Sequence, residues 1–592
     1  MPSRIQRRPK GPSVVLALLA LLSPPAAAPA YAQFRDARVP EPGRLWFEIA
    51  PTLLNWSEQF AEDPSDPDLA DGSREPLEAH FDGPLAARLF PGPGPFLADL
   101  NAGAAALGFD PVDAGDLSLG ELDFSTIQAQ VRRLAVGFEM GIVSRLSLGF
   151  RAPFTLTQVE PSFVFDSVAA TVAFADLALP AGSAFFNEAR GALTSLQELI
   201  DGGTLMGSEL AEAIALREGA DAFLTALEGR AMDGSLIPTA SSAAGTQMDG
   251  RFSDFVSGFD AFGVALPALP LPATATAADL RRLFEEPPLM AFPPGPIENA
   301  LDLGEVEISA RFALLDQITR RPREPAEPDS VGDPAPAPGD STEAAGLVEP
   351  AAPVSGAEPP PGPGDAGPDE DDRPTIRLRT TVGVTLRVPI RPASFPPFQN
   401  AAHFLDVPIG DGQTDIELAL YQDVAVGSWL VLRTSARYGI QRPDEVILRV
   451  APPDRPYAFA SLQTVVNRDL GDYLALLIRP GLRLNETITL GLEYDYFRLG
   501  DASYTLDEPL PDVPDASPLE LESSQTRHRI GIGLTYDLSD ARDRDALVSG
   551  ARPVGPPWRF GISIRRAVSG SGGRTPASFR YGAEFRVPIA IF

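Results

Sequence analysis

The chain has 592 residues, with 48 Lys+Arg against 80 Asp+Glu, and its net charge at neutral pH is −32. Without a basic surplus, binding to nucleic acid is not expected. The absence of cysteine excludes disulfides, iron–sulfur clusters and Cys-ligated zinc, and three histidines are few for any other metal or acid–base site. We therefore expect no cofactor.

The N-terminus has the composition of an export signal. Residues 1–32 combine a basic start, a short apolar run and small residues at Ala30 and Ala32, which are the three parts of a secretory signal peptide. The apolar run is about ten residues long, too short to cross a bilayer as a helix. We expect cleavage after Ala32.

Much of the remaining chain alternates apolar and polar residues, and this period of two places successive side chains on opposite faces of a strand. In 525–538, Ile530 and Ile532 share one face, and Arg527 and Arg529 share the other. Twelve segments have this pattern: 44–55, 126–140, 144–157, 304–315, 375–389, 413–424, 428–441, 471–484, 486–499, 525–538, 557–566 and 578–592.

The alternation fits either a soluble β-sandwich with its apolar face in a core or a membrane barrel with that face in lipid. Three features favour the barrel: segments close to the length of about 9–11 residues that a tilted membrane strand needs, aromatic residues toward the strand ends, and a polar face rich in arginine but without lysine. The prediction is an all-β, antiparallel transmembrane barrel of about 12 strands in the outer-membrane lipid of a Gram-negative-type bacterium.

An even strand number places both chain ends in the periplasm, with short turns there and longer loops outside. The links at 141–143, 425–427 and Asn485 are short, and five of the six opposite links are long. Two links on the short side depart from this pattern, 316–374 and 539–556.

The chain divides into six parts. The predicted order is a signal peptide (1–32), first barrel strands with a long loop (33–157), a helical extracellular insert or plug (158–302), a barrel strand (303–316), a disordered acidic Pro-rich linker (317–374) and the remaining strands (375–592). Helical spacing occurs at 185–199 and 207–230. The linker has too little apolar content to fold, and 56–125 has the composition of a loop.

The inward face of the predicted barrel carries arginine and carboxylate. Its candidate lining residues are Arg377, Arg379, Arg387, Arg433, Arg437, Arg527, Arg529, Glu417, Glu493 and Asp495. These charges fit a channel lining selective for anions or zwitterions. They also fit a ladder of Arg–carboxylate pairs that closes a narrow barrel. Both interpretations stay open.

Two further features have a chemical interpretation. His528 lies on the lipid face, where a His-x-Ser pair would indicate an outer-face phospholipase; residue 530 is Ile530, so an interfacial anchor is favoured and no enzyme activity is expected. The acidic loop 63–72 lacks the spacing of a calcium-binding EF-hand, so we expect it to be solvated.

The last strand ends in Phe592, and a terminal aromatic residue of this kind is the predicted signal for the barrel-assembly machinery. Phe592 has the parity of the polar residues Glu584 and Arg586. It faces lipid if one extra residue is inserted, and a β-bulge at Pro588 is the predicted way to do this.

Two stretches resemble a known group of proteins. They are VGFEMGIVSRLSLGFRAPF (136–154) and DVPIGDGQTDIELALYQDVAVGSWLVLRTSARYGI (406–440). Both are similar to outer-membrane barrels of the phenol meta-cleavage-pathway transporter-like family, related in architecture to hydrophobic-compound channels. The resemblance implies passage of small, hydrophobic or aromatic molecules, with the solute unknown and no binding residue carried over. The alternative is a closed barrel that anchors a helical surface for adhesion or structural interaction.

Overall fold

The computed structural model describes residues 36–60, 73–90, 92–285, 295–318, 376–390, 407, 410–452, 455–485, 487–511, 513–538, 558–572 and 575–591. The leader, the acidic loop 63–72, most of the predicted linker and Phe592 lie outside these ranges. Within them, no helix has both the length and the apolar character needed to span a bilayer.

Twelve antiparallel strands form a closed ring. Each strand pairs with the next one along the chain, and the first pairs with the last. The strands are β1 (Arg44–Trp56), β2 (Glu121–Val143), β3 (Leu146–Asp166), β4 (Val306–Asp316), β5 (Ile376–Val388), β6 (Asp415–Val426), β7 (Leu430–Gln441), β8 (Tyr473–Arg483), β9 (Ile488–Leu499), β10 (Gln525–Asp537), β11 (Arg559–Ser571) and β12 (Phe579–Ala590). The predicted barrel fold is confirmed.

The two faces of each strand have opposite polarity, and the apolar face is the exposed one. On β10, Ile530 and Ile532 are 52% and 54% exposed, whereas Arg527 and Arg529 are 2% and 1% exposed. A soluble sandwich would bury the isoleucines and expose the arginines. The ring thus has an apolar outer band and a charged interior, the arrangement of a membrane barrel.

The two ends of the barrel are built differently. At one, here the turn end, tight turns join β2 to β3, β6 to β7 and β8 to β9, and the longer links that follow β4 and β10 also begin there. Gly427, between β6 and β7, has a φ of 57°, a conformation that glycine adopts without strain. The start of β1 and the end of β12 also lie at the turn end. The opposite end, here the loop end, carries five long links and the short link between β11 and β12.

Four helices at the loop end form the centre of a domain, here the cap: α1 (Ala184–Asp201), α2 (Ser208–Asp233), α3 (Ala243–Ala261) and α4 (Ala277–Glu285). On α1, Phe186, Ala189, Leu193 and Leu196 are buried at helical spacing. The four helices share one apolar core with residues 85–124 and 446–466.

Shorter elements surround this core. They are strands Glu58–Phe60, Arg74–Pro76, Gly83–Pro84, Leu89–Phe90, Val172–Phe174, Leu236–Pro238, Ile297–Glu298, Asp302–Leu303, Asp444–Arg449, Tyr457–Ala458, Gln463–Asp469 and Ser503–Leu506, helices Leu85–Arg88, Gly94–Ala102, Ala104–Leu107 and Ala175–Ala178, and 3-10 turns Leu77–His80, Ala114–Asp116, Ala460–Leu462 and Ser517–Leu519.

The strands β2 and β3 continue beyond the barrel as a paired hairpin that ends at Glu121 and Asp166. Its outer part packs into the cap through Leu122, Phe124 and Ile127. The stretch 56–125, predicted as a loop, is therefore partly folded into the cap. Its apolar residues are separated by proline and glycine, and their partners are distant in sequence, so no periodic signal marks them.

The predicted bulge at Pro588 is wrong. From Arg44↔Ala590 to Asn55↔Phe579, β1 and β12 keep a single register, in which Pro588 lies opposite Trp46. The pairing of β12 with β11 ends at Arg586, so Pro588 lies where β12 has one strand neighbour in the described structure, a position that tolerates proline.

Candidate functional site: the barrel lumen

Arg387 is the centre of a charged cluster on the inner wall toward the loop end. Its guanidinium contacts Glu417 at 2.8 Å, Asp415 at 3.3 Å and Glu307 at 3.5 Å, and Arg437 reaches Glu417 at 3.5 Å. All five residues are buried. Period-two alternation on β4, β5, β6 and β7 places them on the same inward face.

A second cluster surrounds Glu493 on β9, a side chain with no exposed surface. Arg479 contacts it at 3.1 Å, and Arg565 forms a short ion pair with it. Arg565 also contacts Asp495 at 3.3 Å, and Arg479 donates to the Thr535 hydroxyl at 3.1 Å. Each charge in this cluster has an opposite partner, as buried charges require.

The remaining candidate arginines lie along the wall at different depths. Arg379 pairs with Asp316 at 3.2 Å and with Asp423 at 3.4 Å. Arg433 is half-buried opposite Asp423 in the β6–β7 register. Arg377 has the inward parity but is exposed at the turn end, so it belongs to the rim and not to the buried wall.

Two candidates on β10 interact with groups other than carboxylates. The guanidinium of Arg527 lies 5.0 Å from the centre of the Phe497 ring, close enough for a cation–π interaction. Arg529 donates to the Ser578 hydroxyl at 3.1 Å. Both are nearly inaccessible, with 2% and 1% exposure.

The ion pairs of the wall run around it. Arg151 on β3 contacts Glu48 on β1 and Glu307 on β4, and Arg311 on β4 contacts Glu139 on β2. These partners lie one or two strands apart in the ring. Such contacts line a lumen; they do not connect its opposite sides.

Residues 36–43, here the lumen segment, do reach across the interior. The Asp36 carboxylate forms a short ion pair with Arg559 on β11, and the Asp36 carbonyl accepts from Arg311 on β4. The Ala37 carbonyl accepts from the Thr381 hydroxyl on β5 at 2.5 Å. Because β11 lies nearly opposite β4 and β5 in the ring, the segment bridges the lumen.

Packing fixes the rest of the lumen segment. Ala37 is fully buried against Ala419 and Tyr421 on the inner face of β6. At its other end, the Gly43 N–H donates to the Gly141 carbonyl at 3.1 Å. A Cβ on Gly141 would lie 2.2 Å from a carbonyl oxygen of the segment, so only glycine fits there.

Sequence reasoning missed the lumen segment. Its residues have no period of two, and Asp36 is separated from Arg559 by 523 positions. One sequence signal was available: Asp36 is an acidic residue just after the predicted cleavage site, and the predicted inner wall contains many arginines that could pair with it.

A carboxyl pair lies at the loop-end mouth of the lumen. Glu305 accepts from the Gly412 N–H at 2.9 Å and shares a hydrogen bond with Asp411, which also accepts from Gln441 at 3.0 Å. Burial, followed by the charge of Asp411, raises the pKa of Glu305 to about 8. Burial, followed by the charge of Asp415, raises the pKa of Asp411 to about 6. At neutral pH Glu305 therefore holds the proton that this pair shares.

His528 lies among aromatic residues of the outer band. Its Nδ1 is 2.8 Å from the Tyr494 hydroxyl, and its ring centre is 5.1 Å from that of Tyr496. Tyr and His at the border of an apolar band are typical of interfacial anchoring. The acidic loop 63–72 is outside the described residues.

Comparisons with known proteins complete this description. No family model and no curated protein matches the chain. Among solved structures, it is similar to an outer membrane channel from Pseudomonas putida (6% identity over 94% of this chain and 100% of that one, TM-score 0.37). It is also similar to the Ralstonia pickettii toluene transporter TbuX (7%, 93% and 90%, TM-score 0.22) and to the translocator domain of the autotransporter NalP from Neisseria meningitidis (7%, 92% and 87%, TM-score 0.23). At these TM-scores, the likeness assigns neither a family nor a function.

Proposed function

We propose that the protein is an outer-membrane barrel that lets small molecules, hydrophobic or aromatic ones among them, cross the membrane. The observation that carries the proposal is a closed ring with an apolar exterior and an inner wall of paired charges, bridged by the lumen segment.

The outer surface supports placement in a membrane. Large apolar side chains at mid-strand remain exposed, such as Leu492 at 64% and Ile564 at 48%. A contiguous band of this kind is unfavourable in water and favourable in lipid. Export through a cleaved leader is part of the same proposal.

The interior supports transport over a passive anchor. The charged pairs of the wall follow its circumference, so they do not cross-link opposite sides of the barrel, whereas the lumen segment does. That segment is held at Asp36 and Ala37 by side chains of the wall, namely Arg559, Arg311 and Thr381. The segment belongs to no strand, so it can move without breaking the hydrogen bonds between the barrel strands.

The nature of the solute is the finer part of the proposal. Passage of hydrophobic or aromatic molecules rests on the resemblance of 136–154 and 406–440 to phenol-pathway transporters. The paired arginines of the wall suit solutes that also carry a polar or charged group, because rings of charge select solutes by their electrostatics.

Planar-bilayer conductance tests the proposal. Full-length protein should give discrete conductance steps, and a variant in which 36–42 is replaced by glycine and serine should give larger ones. Heat-modifiable migration in gels verifies folding for both. Folded protein that conducts in neither form would end the transport proposal and favour the closed anchor. The control Glu41→Gln changes an exposed member of the segment and should conduct like the parent.

A further inference from the structure

The carboxylate of Asp36 occupies a site that the barrel wall builds. The residue is 5% exposed and pairs with Arg559, which is itself 8% exposed. Within the lumen segment, the Arg38 N–H also donates to this carboxylate at 3.1 Å. The cationic partner therefore belongs to the wall, and the anion belongs to a segment that is not part of any strand.

The nearby carboxylates of the wall already have partners. Arg379 pairs with Asp423 at 3.4 Å, and Arg586 pairs with Glu584 at 2.7 Å. Apart from Asp36, the carboxylate contact of Arg559 in the described structure is Asp537 at 3.9 Å. Removing Asp36 would leave a buried guanidinium with a weak partner, which is strongly unfavourable. The site thus requires an anion.

Arg559 also has an unused donor. Its Nη2 is buried and has no hydrogen-bond partner in the described structure. Arginine binds a carboxylate most strongly when two of its N–H groups take part. Burial alone would raise the pKa of Asp36, but the charges of Arg559, Arg433 and Arg586 hold that pKa well below its ordinary value, so this pocket stabilises an ionised carboxylate.

An apolar recess adjoins the anion site. The Ala37 methyl group fills it, packed against Ala419 and the Tyr421 ring on the inner face of β6. The Arg311 guanidinium lies 4.8 Å from the centre of that ring. A carboxylate position next to a small apolar recess with an aromatic wall matches a small carboxylic acid with an aromatic or short aliphatic body.

We infer that this place in the lumen is a binding site for the carboxylate of a small, apolar organic acid, and that Asp36 and Ala37 are its built-in competitor. The inference rests on the proposed function, since a solute reaches the site only through the lumen. A tether of a few residues gives a competitor an effective concentration of about millimolar. A solute therefore binds only when its concentration and affinity are high enough to displace the tethered Asp36 carboxylate.

Benzoate binding to the full-length protein in detergent, measured by isothermal titration, tests the inference. Asp36→Ala should bind benzoate about tenfold more tightly than the parent, because the competing carboxylate is removed and Ala37 loses the ion pair that holds it in the site. Benzyl alcohol, which has the same ring without the charge, should gain nothing. Glu41→Gln, in the same segment but outside the site, should behave as the parent.

A second variant tests the role of Arg559 in the same binding experiment. Asp36→Ala/Arg559→Gln should lose the gain in benzoate affinity while keeping the heat-modifiable migration of a folded barrel. Equal benzoate affinity in the parent and in Asp36→Ala would overturn the inference, and so would an equal gain for benzyl alcohol, which would indicate an apolar cavity only. Binding is measured without a membrane, so tight benzoate binding by a protein that never conducts would sink the transport proposal and leave the site standing.

Discussion

Gly412 donates its N–H to the carboxyl group of Glu305 at 2.9 Å, and this bond joins the link before β6 to the start of β4. Glu305 hydrogen-bonds Asp411 as well, and both residues are half-buried. Their protonation therefore affects how the loop-end mouth is held together.

Stability should fall as the pH rises from about 5 to 9, with the pKa of Glu305 at about 8 and that of Asp411 at about 6. Both pKa values are raised in the folded state, so the folded chain binds more protons than the unfolded chain in this range and loses that advantage on deprotonation. Glu305→Gln should flatten the profile. Melting followed by gel migration at pH 5.5 and 8.5 measures it. The exposed Glu298→Gln is the control, and a parent-like slope in Glu305→Gln would contradict the assignment.

Arg565→Ala should destabilise the barrel by about 3–5 kcal/mol, because it leaves the buried Glu493 with one cationic contact fewer. Arg44→Ala, which removes an exposed pair with Glu41, should cost about 1 kcal/mol or less. Urea titration in lipid vesicles gives both values. Equal costs would mean that the inner wall is hydrated and its pairs are screened.

Leu492→Arg should destabilise the membrane-embedded protein by about 2–4 kcal/mol, since its side chain is 64% exposed at the middle of β9 and would place a charge in lipid. Leu521→Arg is the matched control: that leucine is 57% exposed, but it lies in the link between β9 and β10. The same titration distinguishes them. Two small and equal effects would show that the outer band is not in a bilayer.

Replacing 320–374 by a few glycine and serine residues should leave the barrel folded. The Gln317 N–H bonds the Leu378 carbonyl at 2.9 Å, and Asp316 pairs with Arg379, so the ends of β4 and β5 are adjacent and a short turn can join them. Heat-modifiable migration checks the shortened protein. In opened membranes, protease should cut the full-length chain first in this stretch and leave two associated pieces; protection there would instead indicate a docked partner.

Deletion of Phe592 should reduce the assembled fraction in the membrane, whereas Phe592→Tyr should assemble normally. β12 keeps its register up to Ala590 without a bulge, so the prediction rests on the terminal aromatic itself. Cell fractionation with immunoblotting measures assembly. A deletion variant that assembles like the parent would remove Phe592 as the signal for the assembly machinery.

The strands could be predicted because each has to satisfy lipid on one face and charge on the other, a constraint that acts on every second residue. The strand ends are harder to predict where a strand leaves the lipid and packs against the cap. β2 continues to Glu121 because Ile127 and Ala129 pack against the cap instead of lipid. Alternation then no longer distinguishes barrel from hairpin.

For the candidate site, the sequence could predict which side chains face the interior, but not which of them contact each other. Period two places Arg387 and Glu417 on the inside, but which charge meets which depends on the stagger of neighbouring strands. Asp36 escaped prediction because its partners come from strands that are distant in sequence and because an aperiodic segment has no face to assign.

The position of the lumen segment also orders the events of assembly. Its receptors Thr381, Arg311 and Arg559 come from β5, β4 and β11, and the strand it precedes, β1, pairs with β12. The complete binding site for the lumen segment therefore forms only after β1 and β12 have paired. We therefore expect Asp36 to dock late in assembly, after β1 and β12 have paired and closed the barrel.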